Sequence, residues 1–428
     1  MNIAFFTLGC KVNQYETQAL REAFISAGHT PVSEDAPFDA VVINSCTVTA
    51  ESDRKTRQTL HRFRRENPNA VIILTGCMVQ AFPEDAKAFS DADIIAGNTD
   101  VKRIISLTER FLKEGERIFE VSPHKDKERF NTPDISDFAE RTRAYMKIED
   151  GCDRYCSYCI IPTARGRVRS KSVEDIRNEA EKLAENGFSE AVLVGINLSA
   201  YGKGEELNLC DAVEAVCSVD GIKRVRLGSL EPDHISNDML TRLKNQEKFC
   251  PQFHLSLQSG CDRTLKRMNR HYDTAFYSDL VCRIRKMFPT ASITTDVMVG
   301  FAGETEEEFS ENLSFVGKIG FAKVHVFAYS RRRGTIAYGL PNQVTKTEKS
   351  RRSKLMLNAA AESEEQFLKS QIGKTVPVLF ETSENGKSEG YTPNYSRVSV
   401  ECDNAPLGQI RNVKIISAEN GICSGILV

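Results

Sequence analysis

The start of the chain has little of what a segment entering or crossing a bilayer is expected to carry. No basic segment precedes its first apolar run, IAFFTLG, and that run falls far short of the roughly 20 apolar residues a membrane span needs. It also lacks the strong positive charge of a general polycationic nucleic-acid binder: 57 Lys and Arg face 59 Asp and Glu, a formal net charge of -2. Disulfide-type pairing is missing too, since the 13 cysteines are odd in number and unpaired in spacing. These absences lead us to expect a cytoplasmic protein with no membrane partner, in a reducing compartment where thiols serve metals. With 428 residues, 40% of them hydrophobic, the chain is long enough for two or three domains with a sizeable core.

What is present begins with Cys152, Cys156 and Cys159 in the run EDGCDRYCSYCIIP. This C-x3-C-x2-C spacing gathers three thiolates around one point. An iron-sulfur cubane normally takes four, so one iron is left open to a ligand that is not protein. The alternative is a structural zinc site with a distant fourth ligand, but nothing after Cys159 supplies a second cysteine pair or histidines at zinc spacing.

The first 120 residues alternate apolar strands (NIAFFTLG, AVVINS, AVIILTG, DIIAG) with helical segments over Glu16–Ala27 and Ser52–Asn67, the pattern of a parallel α/β sheet. Cys10, Cys46 and Cys77 close three successive strands. A parallel arrangement therefore brings three more thiols to the carboxyl edge, where open α/β sheets bind ligands. Residues 122–143 are polar, hold two prolines and read as a linker. From Ala144 the runs YMKI, AVLVGI, RVRLGS, FHLSLQ, SITTDVMVG and KVHVFAY recur, mostly separated by helices, which predicts a partial (βα)6 barrel with working residues at the strand ends. Ser172 announces a helix from Val173, and a long helix covers Lys346–Gln371. The runs TVPVLFE, RVSVEC, VKIISA and GICSGILV then predict a small antiparallel β-barrel.

Four basic runs stand on this near-neutral chain: 55–65, 165–171, 331–333 and 346–354. A charge run is commonly just a solvated face. Arg165, Arg167 and Arg169 directly follow the cysteine loop, however, and with Arg331, Arg332 and Arg333 they are the candidate contacts to RNA phosphate. The other cysteines (Cys210, Cys217, Cys250, Cys261, Cys282, Cys402 and Cys423) show no ligand spacing and read as core or incidental thiols. The histidines, led by His325, read as structural.

These residues carry a resemblance. The C-x3-C-x2-C loop with Tyr158 before its last cysteine resembles the radical S-adenosylmethionine (SAM) superfamily. The series TLGCKVNQYET, NSCTVT, TGCMVQ, DGCDRYCSYCIIPTARGRVRS, GINLSAYG, LGSLEP, SLQSGCDRTLKRMNRHY and TTDVMVGFAGETEEEF is similar to the methylthiotransferases over almost the whole chain. The GCKVNQYET opening and GYTPNY segment look most like the branch acting on threonylcarbamoyladenosine in tRNA. SRRRGT and FAGET depart from the usual pattern, SRRRGT by lacking a proline and FAGET by replacing FPGET, and neither touches a cysteine.

The resemblance implies a cluster domain over 1–121, a linker over 122–143, a radical SAM domain over 144–371 and a TRAM domain over 372–428. It implies two 4Fe-4S clusters, one on Cys152, Cys156 and Cys159 that binds and cleaves SAM, the other, auxiliary, on Cys10, Cys46 and Cys77 as holder or donor of sulfur. Tyr158, Gly195, Asn197, Ser229, Glu231, Gln258 and Arg270, at or near strand ends, are then the candidate SAM contacts; Arg suits a carboxylate because its donors form a planar fork. Asp296 also follows the pattern. The expected activity inserts sulfur and a methyl group at carbon 2 of the modified adenine next to the anticodon. It needs tRNA, a one-electron reductant such as flavodoxin and a sulfur source, and the chain is read as a monomer. The alternatives are a methylthiotransferase on a ribosomal-protein aspartate and a noncatalytic iron-sulfur or zinc RNA-binding redox sensor.

Overall fold

In the computed structural model, residues 1–98, 100–126, 128–138, 142–402 and 407–428 are described. The amino-terminal sheet has strands β1 (Asn2–Thr7), β2 (Thr30–Val32), β3 (Ala40–Ser45), β4 (Val71–Gly76), β5 (Ile94–Ala96) and β6 (Ile118–Glu120), all parallel in the order β2-β1-β3-β4-β5-β6. Every residue of β3 and β4 is buried, as expected of a parallel strand covered on both faces. Alternate residues feed two cores: Val42 and Ile73 on one face, Val41, Ile43 and Ile72 on the other. The covering helices are α1 (Lys11–Ser26), α2 (Ala50–Glu66), α3 (Cys77–Ala81), α4 (Pro83–Lys87) and α5 (Val101–Glu114).

Two short strands, β2 and β6, were not visible in the sequence. Each is a three-residue edge strand, too brief for a period of two to register. Helix α1 starts at Lys11, five residues before the expected Glu16, because its first turns are buried: Tyr15 is fully buried, its hydroxyl 2.8 Å from Glu179 Oε1 and 2.9 Å from the Pro133 carbonyl. Helix α2 is capped by Thr49, which accepts the Ser52 N–H at 3.1 Å. The described residues from 122 to 138 form no helix or strand, and Ile135 and Phe138 are buried. Residues 127 and 139–141 of that segment lie outside the described residues.

The barrel strands are β7 (Arg143–Lys147), β10 (Glu190–Val194), β11 (Arg224–Leu227), β12 (Ser229–Leu230), β13 (Gln252–Leu255), β14 (Ser292–Val299) and β15 (Lys323–Ala328); a two-residue ladder, β8 (Glu149–Asp150) with β9 (Arg169–Ser170), closes the cysteine loop. All barrel pairings are parallel. The third expected strand, RVRLGS, is divided at Gly228: its first half pairs with β10 and its second with β13, so one arc of six staves becomes two sheets. The outer helices include α6 (Ile161–Arg165), α7 (Val173–Glu185, capped by Ser172), α8 (Leu209–Cys217), α9 (Asn237–Lys244), α10 (Asp262–Arg267), α11 (Thr274–Met287), α12 (Glu306–Ile319) and α13 (Lys346–Lys369).

The final unit is a closed barrel of β16 (Thr375–Glu384), β17 (Lys387–Tyr391), β18 (Arg397–Glu401), β19 (Ile410–Glu419) and β20 (Ile422–Leu427), in the order β16-β17-β18-β20-β19. Strand β17 (KSEGY) is too polar to announce itself in sequence. One pair, β18 with β20, is parallel, so the barrel is antiparallel in all pairings but that one. The β17–β18 turn, TPNYS, is driven into the base of the larger barrel. There Arg226 donates to the Pro393 carbonyl at 2.8 Å, and the stacked rings of Tyr391 and Tyr395 (4.6 Å) lie under Arg143. Asn394 makes four hydrogen bonds, to Thr290, Gln371, Thr392 and Ser396. Among the described residues no helix is long and apolar enough to cross a membrane.

Removing a fully satisfied buried amide strands its partners, so Asn394→Ala should lower stability by about 1–3 kcal/mol. The check is a lower urea midpoint at unchanged m-value, with faster hydrogen exchange confined to residues 391–397.

Candidate active site

The cysteine loop hangs from the end of β7 and is braced at several points. Cys152 N–H donates to the Gly166 carbonyl at 3.0 Å, Cys159 N–H to Cys156 at 2.9 Å and Ser157 N–H to Met268 at 3.0 Å. Gly151 has φ +88°, and a Cβ there would sit 2.0 Å from the Arg167 carbonyl oxygen, so only glycine admits this turn. Burial pushes both the Cys152 and the Cys159 thiol up to about 12, and the neighbouring Cys156 adds to both shifts. Among the described residues no group of three or more His, Cys, Asp or Glu side chains is arranged to hold a single metal ion.

Around this loop several buried polar atoms have no partner: Glu149 Oε1, Asp153 Oδ1, Arg154 Nε and Asn197 Oδ1. Unmatched carboxylate, amide and guanidinium atoms beside a cysteine loop fit a polar, zwitterionic ligand. Glu149 is fully buried; desolvation drives its carboxyl well above the ordinary range, although its Oε2 accepts the Asn197 N–H at 2.7 Å. Gly195 is required beside it, since a Cβ would meet that oxygen at 2.5 Å.

Of the residues proposed from sequence for SAM, Gly195 and Asn197 meet at Glu149. Glu231 and Arg270 bind each other: Arg270 Nη1 is 3.2 Å from Glu231 Oε1 and Nη2 pairs with Oε2, while Nη1 also lies 3.2 Å from Cys156 Sγ. The fork expected to face a ligand carboxylate is thus filled by the chain's own, and Arg154 approaches the same Glu231 at 3.6 Å. Gln258 adopts φ +67° and bridges to β14, its N–H on the Asp296 carbonyl at 2.9 Å. Ser229 is exposed to the cavity described below. Tyr158 packs edge-on against Phe301 at 6.3 Å in a small core with Met268 and Tyr329.

The second thiol set forms as the topology requires. Strands β1, β3 and β4 are neighbours, and Cys10, Cys46 and Cys77 leave their carboxyl ends as the α1 cap, the residue after β3 and the first residue of α3. Gly9 lets the first two approach: a Cβ on it would lie 3.0 Å from Cys46 Cβ. Asn13 ties the edge together, donating to Asn44 Oδ1 (3.2 Å) and the Ser45 carbonyl (3.1 Å) and accepting from Cys10 Sγ (3.2 Å). Burial pushes Cys77 up to about 11; Arg165 pulls it down and the charges of Glu16 and Cys10 push it further up.

The arginines expected to touch RNA separate into two groups. Arg165 is wholly buried: Nε donates to Cys77 Sγ at 3.2 Å, Nη2 to Glu16 Oε2 at 2.8 Å, and Nη1 pairs with Glu16 Oε1. Arg332 is also buried, on Asp53 (2.7 Å) and Thr47 (2.5 Å). Arg165 is fully enclosed and Arg332 nearly so, each turned onto the chain's own carboxylate, so the expectation of a phosphate contact is corrected for both. Arg169 is nearly enclosed by Asp150 (3.1 Å) and Glu128 (3.5 Å). Arg167, Arg331 and Arg333 remain exposed.

Sequence reading passed over Glu16, Lys147, Glu149 and Asp150. A signal existed: Lys147, Glu149 and Asp150 interrupt an otherwise apolar, fully buried strand end (AYMKIED), which only paired or ligand-bound charges tolerate.

A cavity of about 810 Å³ runs through the open barrel. Cys10, Lys11, Gly195 and Ser229 line its upper end, and Tyr391, Asn394 and Tyr395 its base. Its walls carry Gln252, His254, Thr294, Asp296, Lys323 and His325, with His254 Nε2 3.3 Å from Asp296 Oδ2. Burial lowers His325. Of the histidines read as structural, His254 and His325 face this cavity.

Comparison with known proteins fits this geometry. The Uncharacterized protein family UPF0004 matches residues 2–97 and the Radical SAM superfamily residues 146–316. The chain is 35% identical over 423 residues to "Threonylcarbamoyladenosine tRNA methylthiotransferase MtaB" of Bacillus subtilis (strain 168), covering 97% of this chain and 94% of the relative. The chain belongs to the radical SAM methylthiotransferase family. Its cofactors are accordingly SAM and 4Fe-4S clusters. Methylthiotransferases with another printed substrate are nearly as similar: 33% identity over 424 residues to "tRNA-2-methylthio-N(6)-dimethylallyladenosine synthase" of Clostridium perfringens (strain SM101 / Type A), covering 96% and 94%. In fold alone, the methylthiotransferase resembles the radical S-adenosylmethionine methyltransferase TsrM of Kitasatospora setae, with a TM-score of 0.57 at 13% identity over 78% of this chain and 76% of that one.

The raised Glu149 carboxyl has a consequence for stability. A carboxyl raised above its ordinary 4.5 is buried without penalty below that pH and destabilises the fold increasingly as pH rises toward its folded value. Glu149→Gln should therefore raise the thermal midpoint of the apoprotein at pH 8, and the gain should vanish near pH 4. Equal gains at both pH values would contradict the assignment.

Proposed function

We propose that this methylthiotransferase inserts sulfur and a methyl group at carbon 2 of N(6)-threonylcarbamoyladenosine in tRNA. The observation that carries the finer reading is the polarity of the cavity. A threonylcarbamoyl group brings a carboxylate, a hydroxyl and amide-type donors, for which Gln252, His254, Thr294, Lys323 and His325 offer partners. A dimethylallyl group is apolar and could use none of these donors and acceptors, of which Lys323 and His325 are exposed to the cavity while Gln252 and His254 already share Thr294.

In this reading Cys152, Cys156 and Cys159 hold one cluster and Cys10, Cys46 and Cys77 the other. The cluster that Cys152, Cys156 and Cys159 would hold, together with SAM, would supply the chemistry for removing hydrogen from an unactivated carbon. The chain's residues do the rest. Glu149, Asn197 and Arg154 offer their unmatched atoms to the methionine end of SAM, Arg270 and Glu231 hold the loop through Cys156, and Ser229 and Gln258 flank the strand ends. Cys10 lines the same cavity, so an adenine lying there has one thiol set beside it and the barrel's strand ends on the other side. Exclusion of bulk water from that space keeps a reactive centre from being quenched. Arg167, Arg331 and Arg333 provide exposed positive charge for RNA phosphate. A cytoplasmic setting, a small electron donor and a separate sulfur source complete the reading.

Two measurements test it. In tRNA from cells lacking the protein, nucleoside mass spectrometry should show loss of the methylthio group from threonylcarbamoyladenosine and no change in dimethylallyl-derived nucleosides; the reverse pattern overturns the substrate assignment. Anaerobically reconstituted protein should bind about eight irons, falling to about four when Cys10, Cys46 and Cys77 are replaced by alanine. That variant should still form 5′-deoxyadenosine but no methylthio product.

A further inference from the structure

Arg165 sits where two units of the molecule meet. Helix α6 begins two residues after Cys159 and ends at Arg165, whose side chain crosses into the amino-terminal unit. There it touches Cys77 Sγ (3.2 Å), both oxygens of Glu16, and Asn13 Oδ1 (3.5 Å), with Asp150 Oδ2 at 3.6 Å. Lys147 is buried in the same network, on Glu16 (2.7 Å), Asp150 (2.8 Å) and Thr132 (3.0 Å). Arg169 adds a third cation on Asp150, and its outer partner Glu128 lies toward the rim. Three cations thus share two buried carboxylates, and Arg165 is the one that meets a sulfur. The other thiol set is built alike: Arg270 touches Cys156 Sγ at 3.2 Å and is paired with Glu231.

We infer that Arg165 is a positioning residue for the auxiliary cluster, fixing its place against the barrel and setting its reduction potential through the N–H···S contact, with Glu16 as the opposing charge. This rests on the reading of Cys10, Cys46 and Cys77 as cluster ligands. A 4Fe-4S core with three thiolates carries negative charge that grows on reduction, so a fixed cation at a ligand sulfur favours the reduced state and a fixed anion opposes it. Hydrogen bonds to cluster sulfurs act in the same direction. Because Arg165, Cys77 and Glu16 are buried, these charges are weakly screened.

The test uses full-length protein with Cys152, Cys156 and Cys159 replaced by alanine, leaving the auxiliary site alone, reconstituted anaerobically and titrated potentiometrically with EPR detection. Arg165→Met should make the midpoint more negative by at least about tenfold in the reduced-to-oxidised ratio, about 59 mV for one electron. Glu16→Gln should move it in the positive direction, and Arg165→Lys should fall between wild type and Arg165→Met. Opposite signs for the two charge removals are what a purely structural role would not produce. Midpoints unchanged in Arg165→Met and Glu16→Gln, with iron retained, overturn the inference; if Arg165→Met loses its iron, the sign of the Glu16→Gln shift decides. Absence of iron from the triple-alanine parent would refute the ligand reading itself, and the inference with it.

Discussion

The seam between the amino-terminal sheet and the barrel is closed by buried, mutually paired charges. Arg165, Glu16, Lys147 and Asp150 are all buried, Glu16 coming from the amino-terminal unit and the other three from the barrel. Burying ions is costly unless each is matched, and removing one partner of such a set typically costs about 3–5 kcal/mol. The matching therefore permits one relative placement of the two units, whereas purely apolar surfaces would tolerate sliding. Neighbouring contacts agree with that placement: Tyr15 reaches Glu179, Asn98 reaches the Ala164 carbonyl at 3.0 Å, and Cys77, Ala81, Ile160 and Ala164 form a small shared core.

The other end of the barrel is closed by the same kind of device. Glu190, fully buried, is held ionised by Arg226, Arg143 and Arg224, and those arginines also take hold of the terminal barrel through Glu381 and the carbonyls of Pro377, Tyr391 and Pro393. The GYTPNY segment is thereby a plug and not a free surface. The cavity between the two seams is what remains of the bore. Its shape follows from three units being docked by directional charge pairs, and its polarity from inward-facing strand residues such as Gln252, His254, Thr294 and Asp296.

Much of this was legible in the residues. The C-x3-C-x2-C loop, the strand-end placement of Cys10, Cys46 and Cys77, the α/β alternation and the Ser172 cap all rest on local spacing or on a period along the chain, and the structure reproduces them. The β2, β6 and β17 strands were illegible because they are too short or too polar to show a period. The early start of α1 was hidden because its first turn owes its burial to a partner 164 residues away.

The arginine run 165–169 marks the boundary most clearly. Its sequence set which charges are present and their closeness to Cys159. Whether a guanidinium met phosphate or sulfur was decided by Glu16, 149 residues earlier, and by Cys77, 88 residues earlier. The same holds for Arg332, paired with Thr47 across 285 residues. Local sequence determines local geometry because backbone sterics and side-chain period act over a few residues. The fate of a long charged side chain depends on the balance of desolvation against partners that only chain folding brings within reach.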